Sequence, residues 1–284
     1  MHMNGVTVKL GYHSITWGGV LGHPVGVTSV KDLFYCGVGS MEDAARDIAE
    51  AGFTGTEMFD GDVAKYVERP DDLHALLADN NLELVSVYTG ANFIYADILP
   101  DELDKISRAI DLAVQFGAER LVVGGGARRA AGTTDDDYIS LGKGLDRVSD
   151  MAAEKGLVAT YHPHLTTIVE NPTELERIMG LSHIDFCPDT GHLAAGGGDP
   201  AALIRDYSDR IKHVHLKDWQ PEPFLWTPLG EGSLDFTDIV RAVSESGYDS
   251  WLIVELDEYA GAPLEAAKRS KAHLDKVLAE LGLA

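Results

Sequence analysis

The sequence predicts a closed (β/α)8 barrel, the TIM-barrel class of α/β fold, formed as one domain over residues 1–284. Three observations predict it. Short apolar runs rich in Val, Ile, Leu and Thr recur eight times along the chain, as buried parallel strands do. Helix-like segments follow most of them, the alternation that feeds a parallel sheet. The length of 284 residues, 45% of them hydrophobic, suits one barrel of ~250 residues. The rival, a doubly wound open sheet, expects G-x-G-x-x-G after its first strand. Here Tyr12-His13-Ser14-Ile15-Thr16-Trp17-Gly18-Gly19 stands in that place. No exact repeat, low-complexity stretch or Pro/Ser-rich linker divides the chain.

The strands are expected at Val8–His13, Thr54–Met58, Leu82–Val87, Arg120–Val123, Leu157–His162, Ile184–Pro188, Ile211–Leu216 and Trp251–Glu255. Between them the helices announce their ends. Ser40-Met41-Glu42-Asp43 reads as an N-cap with acidic residues in the first turn, and Ala44, Ala45, Ile48 and Ala49 follow at helical spacing. Asp101 to Phe116 places Leu103, Ile106, Ile110, Ala113 and Val114 on one face, and Gly117 stops it. Helices are also expected from Tyr138 to Lys155, Asp235 to Ser246 and Leu264 to Leu281. Three units share one signature, a helix followed by Gly52, Gly117 or Gly156 and then a strand. The acidic run Asp135–Asp137 reads as a solvated helix start. The segment Gly18–Gly39 has no periodicity and is expected to be a loop over the active face.

The charge excludes whole classes of partner. Lys and Arg number 23 against 46 Asp and Glu, a formal −23. Such a surface repels phosphate backbones and anionic lipid, so neither nucleic acid nor membrane is expected as a partner. Cys36 and Cys187 are too few for a disulfide framework, and no C-x-x-C zinc motif is present. No apolar run reaches the roughly 18 residues of a membrane span. Met1 to Leu10 lacks the pattern of a signal peptide, so a cytoplasmic protein is expected.

Barrel chemistry sits at the C-terminal ends of the strands. Strand 5 ends in Tyr161-His162-Pro163-His164, strand 6 in Cys187-Pro188-Asp189-Thr190-Gly191-His192, strand 7 in His213-Val214-His215-Leu216-Lys217-Asp218, and strand 8 in Val254-Glu255-Leu256-Asp257. Residues two apart share a face, so His162, Asp189, His215 and Glu255 can converge in one barrel mouth. Two nitrogens and two carboxylates suit one divalent ion, Mn²⁺ first, with Co²⁺, Mg²⁺ or Zn²⁺ as alternatives. A lone strand-end His or Asp more often caps a helix; it is the joint pattern on four successive strands that points to metal. His213 lies a layer deeper and reads as a core histidine, and Cys187 reads as core. His192 either orients a ligand or touches substrate.

These residues carry a resemblance. Asp189-Thr190-Gly191-His192, His215-Leu216-Lys217-Asp218, Gly230-Glu231-Gly232-Ser233-Leu234-Asp235-Phe236 and Glu255 in Ile253-Val254-Glu255-Leu256 resemble the xylose isomerase-like barrel superfamily, which includes sugar-phosphate isomerases and epimerases. The resemblance implies one divalent ion held from strands 5 to 8, with Asp189, His215 and Glu255 among its ligands. Strand 5 departs from the epimerase pattern, which has glutamate where this chain has His162. Tyr161-His162-Pro163-His164-Leu165-Thr166-Thr167 is most similar to inosose dehydratases, which process a keto-cyclitol.

The implied chemistry is proton abstraction α to a ketone on a small keto-sugar or cyclitol, through an enediolate. Reprotonation would make an isomerase or epimerase; loss of a β-hydroxyl would make a dehydratase. Glu255, His164 and His192 are the candidate bases, and Lys217 could stabilise developing negative charge. Glu57, His13, Trp17 and Arg128 are the candidate substrate contacts. Three of these have a plainer alternative: a rim salt bridge for Glu57, loop packing for Trp17 (as for Phe59), and, for Arg128, a flexible loop over Gly124–Arg129 in place of an anion cradle. The acidic surface favours a neutral polyol over a sugar phosphate. Two rivals stand beside the enzyme: a non-catalytic sugar-binding barrel, and a DNA-repair endonuclease, which would need more ligands and a basic face. Phe224, Leu225 and Trp226 form an apolar loop segment that either lids the site or meets another copy in a homo-oligomer.

Overall fold

The computed structural model describes residues 8–18, 34–37 and 39–283. Most of the expected Gly18–Gly39 loop, namely residues 19–33 and 38, lies outside the described residues. The strands are β1 (Lys9–His13), β2 (Gly55–Phe59), β3 (Glu83–Ala91), β4 (Arg120–Gly125), β5 (Val158–Tyr161), β6 (Asp185–Phe186), β7 (Val214–Leu216), β8 (Asp218–Pro221), β9 (Phe224–Thr227) and β10 (Trp251–Val254). The helices are α1 (Met41–Glu50), α2 (Asp60–Ala64), α3 (Pro70–Asp79), α4 (Leu99–Gln115), α5 (Asp135–Glu154), α6 (Pro172–Leu181), α7 (Thr190–Ala195), α8 (Pro200–Asp206), α9 (Phe236–Glu245) and α10 (Pro263–Leu281). Among the described residues no helix is long and apolar enough to cross a membrane.

Eight strands pair in parallel in the order β6-β5-β4-β3-β2-β1-β10-β7. Bridges between Phe186 and Ile211 and between Asp189 and His215 join the two edges. The sheet therefore closes, and the expected barrel is found. All eight expected runs supply its strands, although β6 keeps only two ladder residues. The hairpin β8–β9 is antiparallel and stands outside the barrel. It corrects the expectation of a loop at Phe224–Trp226.

Helix ends follow local chemistry. Ser40 Oγ accepts the Asp43 amide at 3.0 Å, a cap of about 1 kcal/mol. Thr134 and Asp137 form a reciprocal capping box, which starts α5 at Asp135, three residues before the expected Tyr138. Gly52, Gly117 and Gly156 take φ of +93°, +81° and +81°, the left-handed turn that lets a helix hand over to the next strand. The main core lies between strands and helices. Inside the barrel, Val85, Trp251 and Ile253 form a separate apolar cluster. Gly55 makes room for it, since a Cβ there would meet Trp251 at 2.6 Å and Val85 at 2.7 Å. A second internal cluster of Ile15, Phe59, Tyr88, Val122 and Cys187 lies among the polar groups of the barrel interior.

Candidate active site

The polar groups inside the barrel form two tiers. The upper tier is organised by Asp189 and Lys217. Asp189 caps α7, its Oδ1 accepting the His192 amide at 2.8 Å. Its Oδ2 faces His162 Nε2 at 3.3 Å and Lys217 Nζ at 3.4 Å. Lys217 Nζ also donates to Glu255 Oε1 at 2.8 Å, Asp257 Oδ1 at 2.7 Å and His192 Nε2 at 2.9 Å. Gly191 is needed beside it, because a Cβ would meet the Lys217 Cγ at 2.7 Å. Thr190 Oγ1 fixes the lysine's backbone, donating to its carbonyl and accepting its amide.

Charge within this tier is strongly coupled. Burial alone would push the Asp189 and Glu255 carboxyls up, but the Lys217 ammonium together with the neighbouring histidines outweighs it and holds both well below the usual carboxylate range. The same carboxylates, with Asp257, keep Lys217 protonated against its own burial. Lys217 is therefore a fixed cation rather than a nucleophile. Asp257 is pushed up to about 7, by burial first, with Glu255 adding and Lys217 opposing.

The lower tier centres on Glu57, which is fully buried. It accepts from Ser86 Oγ, from His213 Nε2 at 2.9 Å and from His215 Nε2 at 3.2 Å. His13 accepts the Ile15 amide on Nδ1 at 2.9 Å and turns Nε2 toward Glu57 at 3.5 Å. His215 joins the tiers, with its Nδ1 2.5 Å from Glu255 Oε2. The charges of Glu57 and Glu255 outweigh burial and raise His215 to about 10.

Two histidines face each other at the mouth. The rings of His164 and His192 are 3.7 Å apart between centroids, and Trp226 packs edge-on against His192 at 5.0 Å. His164 Nδ1 lies 2.6 Å from the Leu165 carbonyl, which can only accept. His164 therefore carries its proton on Nδ1 and a lone pair on Nε2. The Lys217 ammonium can only donate, so His192 Nε2 accepts and its proton is on Nδ1. Burial, with the Lys217 charge adding, lowers both rings, His164 to about 4.

Neighbouring loops are pinned by backbone amides. Asp218 accepts the amides of Trp219, Gly230, Gly232 and Leu234, which explains the Gly230–Phe236 motif. A buried Lys105–Asp60 pair at 3.0 Å holds Tyr35, whose amide donates to Asp60 Oδ1 at 2.8 Å. Tyr35 then stacks on Phe59 and meets Tyr88, which packs edge-on against His162.

Of the four residues expected to bind metal, His162, Asp189 and Glu255 fall in one group with His192, and His215 falls in another with Glu57 and His213 while its Nδ1 lies beside Glu255. His162, Asp189, Glu255 and His192 each offer an atom within 4.8 Å of the others. Neither nitrogen of His192 is open to coordination, since Nε2 accepts from Lys217 and Nδ1 carries the proton, whereas His215 Nδ1 would open once its proton leaves. The donor set fits a divalent ion on a second count. His162 Nδ1, His215 Nδ1 and Glu255 Oε2 are buried without a hydrogen-bond partner. Such orphans are costly unless something absent from the chain satisfies them.

The expected substrate contacts are placed elsewhere. Glu57 is committed to the lower tier, so its carboxylate does not reach the mouth, and His13 lies beside it. Trp17 turns outward, its Nε1 donating to Asp47 at 2.9 Å while its ring meets Tyr12. Arg128 pairs with Glu170, and Arg129 with Asp137 and the Ile94 carbonyl, so the Gly124–Arg129 segment presents no free anion cradle. The apolar wall comes instead from Phe59, Tyr35, Tyr88 and Trp226. Asp257 was missed, although it shares the parity of Glu255 and that signal was available.

Known proteins resemble the chain to different degrees. The profile of the family described as xylose isomerase-like TIM barrel matches residues 45–277. An inosose dehydratase of Lacticaseibacillus casei is 30% identical over 273 residues, covering 84% of this chain and 90% of that protein. One from Geobacillus kaustophilus is 30% identical, covering 85% and 89%. Among solved structures, an IOLI protein with a bound zinc atom superposes with a TM-score of 0.73 at 16% identity, covering 96% and 99%.

Proposed function

The chain belongs to the xylose isomerase-like TIM barrel family, and from that premise we propose that it is a divalent-metal-dependent dehydratase acting on a keto-cyclitol or keto-sugar. The observation that supports the proposal is the buried group in which His162, Asp189 and Glu255 offer atoms within 4.8 Å of one another, with His215 Nδ1 beside Glu255 and Lys217 beside Asp189. These four residues would hold the ion, His215 through Nδ1. When bound, the ion would polarise the substrate ketone and offset the negative charge that develops on its oxygen.

The protein groups divide the remaining work. His164 Nε2 takes the proton α to the ketone, and the C–H electron pair moves toward the carbonyl oxygen to give an enediolate. His192 Nδ1–H would donate to oxygen in that state, and the Lys217 ammonium, its three N–H groups already committed, would contribute its charge alone. As the enediolate collapses, the bond from the β-carbon to its hydroxyl breaks. The leaving oxygen takes a proton from Asp257 and departs as water, and His164 returns its proton to Asp257. The walls of Phe59, Tyr35, Tyr88 and Trp226 suit the apolar face of a ring and exclude water.

Elimination is preferred to epimerisation for two reasons. The relatives at 30% identity are inosose dehydratases, and His162 stands where a second proton-carrying glutamate would serve an epimerase. The test is metal analysis of purified protein followed by stripping and reloading. Activity on a keto-inositol should vanish on stripping and return with Mn²⁺; activity indifferent to the ion rejects the proposal.

A further inference from the structure

The lower tier bears on how the ion would be held, and its role rests on the proposal that His162, Asp189, His215 and Glu255 bind one. Glu57 is fully buried. Three groups hydrogen-bond its Oε2: the Ser86 hydroxyl and the Nε2 atoms of His213 and His215; His13 Nε2 faces Oε1 from 3.5 Å without a hydrogen bond. His13 Nδ1 accepts the Ile15 amide, so its proton is on Nε2. His215 Nε2 lies 3.1 Å from Oε1 and 3.2 Å from Oε2, so it straddles the carboxylate. A carboxylate accepts only, so Nε2 must carry hydrogen. In the neutral ring that leaves Nδ1 bare.

That nitrogen is aimed at Glu255, and it is bare once the ring is neutral. Nδ1 and Glu255 Oε2 are 2.5 Å apart, yet neither has a hydrogen-bond partner. A lone pair and a carboxylate oxygen at that separation repel unless a proton or a metal ion lies against both. We infer that Glu57 is a positioning residue: by holding His215 Nε2–H from below, it presents Nδ1, beside Glu255, to the divalent ion. Glu57 touches neither substrate nor ion. It acts through His215, and Ser86 and His213 fix Glu57 in turn. A carboxylate behind a ligating imidazole both orients the ring and makes it a better ligand.

One alternative uses the same atoms. Glu57, His213 and His215 each offer a donor within 4.8 Å of the others, so the lower tier could be a second ion site. Hydrogen on the Nε2 atoms of His213 and His215 opposes this, and the experiment separates the two.

Cobalt(II) is titrated into the stripped protein against a competing chelator, with its visible spectrum as readout. Wild type, Glu57→Gln, Glu57→Ala and Ser86→Ala are compared. The inference predicts one cobalt per chain in wild type. It predicts an affinity loss of about 10- to 100-fold for the Glu57 variants, with an altered cobalt spectrum. Ser86→Ala, which keeps the carboxylate and should fold if Glu57→Ala does not, should lose less. In zinc-loaded protein, ¹⁵N NMR should find His215 bound through Nδ1 with hydrogen on Nε2. Affinities within twofold of wild type overturn the inference, as does a zinc-bound Nε2. Two cobalt ions per chain, one lost in Glu57→Gln, overturn it in favour of the second site. Wild type that takes up no cobalt fails the proposed metal site itself, a result distinct from these.

Discussion

His164 and His192 pack with ring centroids 3.7 Å apart and planes tilted by 42°, and their hydrogen bonds give them opposite polarity. One presents a lone pair to the mouth and the other presents N–H. Two identical side chains are thereby set for a base and a donor by a carbonyl on one side and an ammonium on the other.

Substitution should separate these roles. His164→Gln removes the base and should lower kcat by about 10²- to 10⁴-fold, with metal content unchanged. His192→Phe keeps the packing but loses the donor, and should cost about 10- to 1,000-fold. Steady-state kinetics on metal-loaded protein check both; equal, small effects would show that neither ring meets the substrate.

The pH profile carries a second prediction. Burial, with Lys217 adding, lowers His164 to about 4, so the base is neutral above that value. The acid limb of kcat/KM should therefore lie well below 6.5, provided metal is kept saturating. Metal affinity should behave differently. His215, raised to about 10, is protonated at neutral pH in the metal-free protein. Coordination through Nδ1 must expel that proton, so affinity should rise about tenfold per pH unit below 10. Calorimetry in buffers of different ionisation enthalpy counts the proton released.

Lys217→Met should separate structure from metal. Asp189, Glu255 and Asp257 would lose their shared counter-ion, which costs about 3–5 kcal/mol for a broken buried pair. A divalent ion would restore part of that. Chemical denaturation with and without Mn²⁺ should show a larger metal-induced gain in the variant than in wild type.

Arg128 offers a contrast. Its guanidinium pairs with Glu170, so Arg128→Ala should change KM by less than about threefold, within the range of an exposed ion pair. A selective loss of activity on a phosphorylated substrate would reinstate the anion cradle.

Much of this was legible in the residues. Strand parity alone selected His162, Asp189, His215 and Glu255, because period-two alternation fixes which side chains enter a barrel. Parity does not give depth: β2 runs two residues past Glu57, whose carboxylate is spent on Ser86, His213 and His215. Nor does it hold where the chain passes straight from a strand into a helical turn. Trp17 sits on a 3₁₀ turn (Ser14–Trp17) and rotates outward to Asp47. The hairpin β8–β9 was hidden because Pro223 and Pro228 read as loop punctuation, although cross-strand pairing runs from Asp218–Thr227 to Pro221–Phe224. The buried Lys105–Asp60 pair, 45 residues apart, has no local signature at all.

Metal-dependent elimination would leave two signatures in a single reaction mixture. Stripped protein, reloaded with Mn²⁺, is incubated with a keto-inositol while absorbance and product mass are followed together. The account predicts enone absorbance and a product lighter by one water, both absent without the ion. A product of unchanged mass, or no product from fully loaded protein, would contradict it.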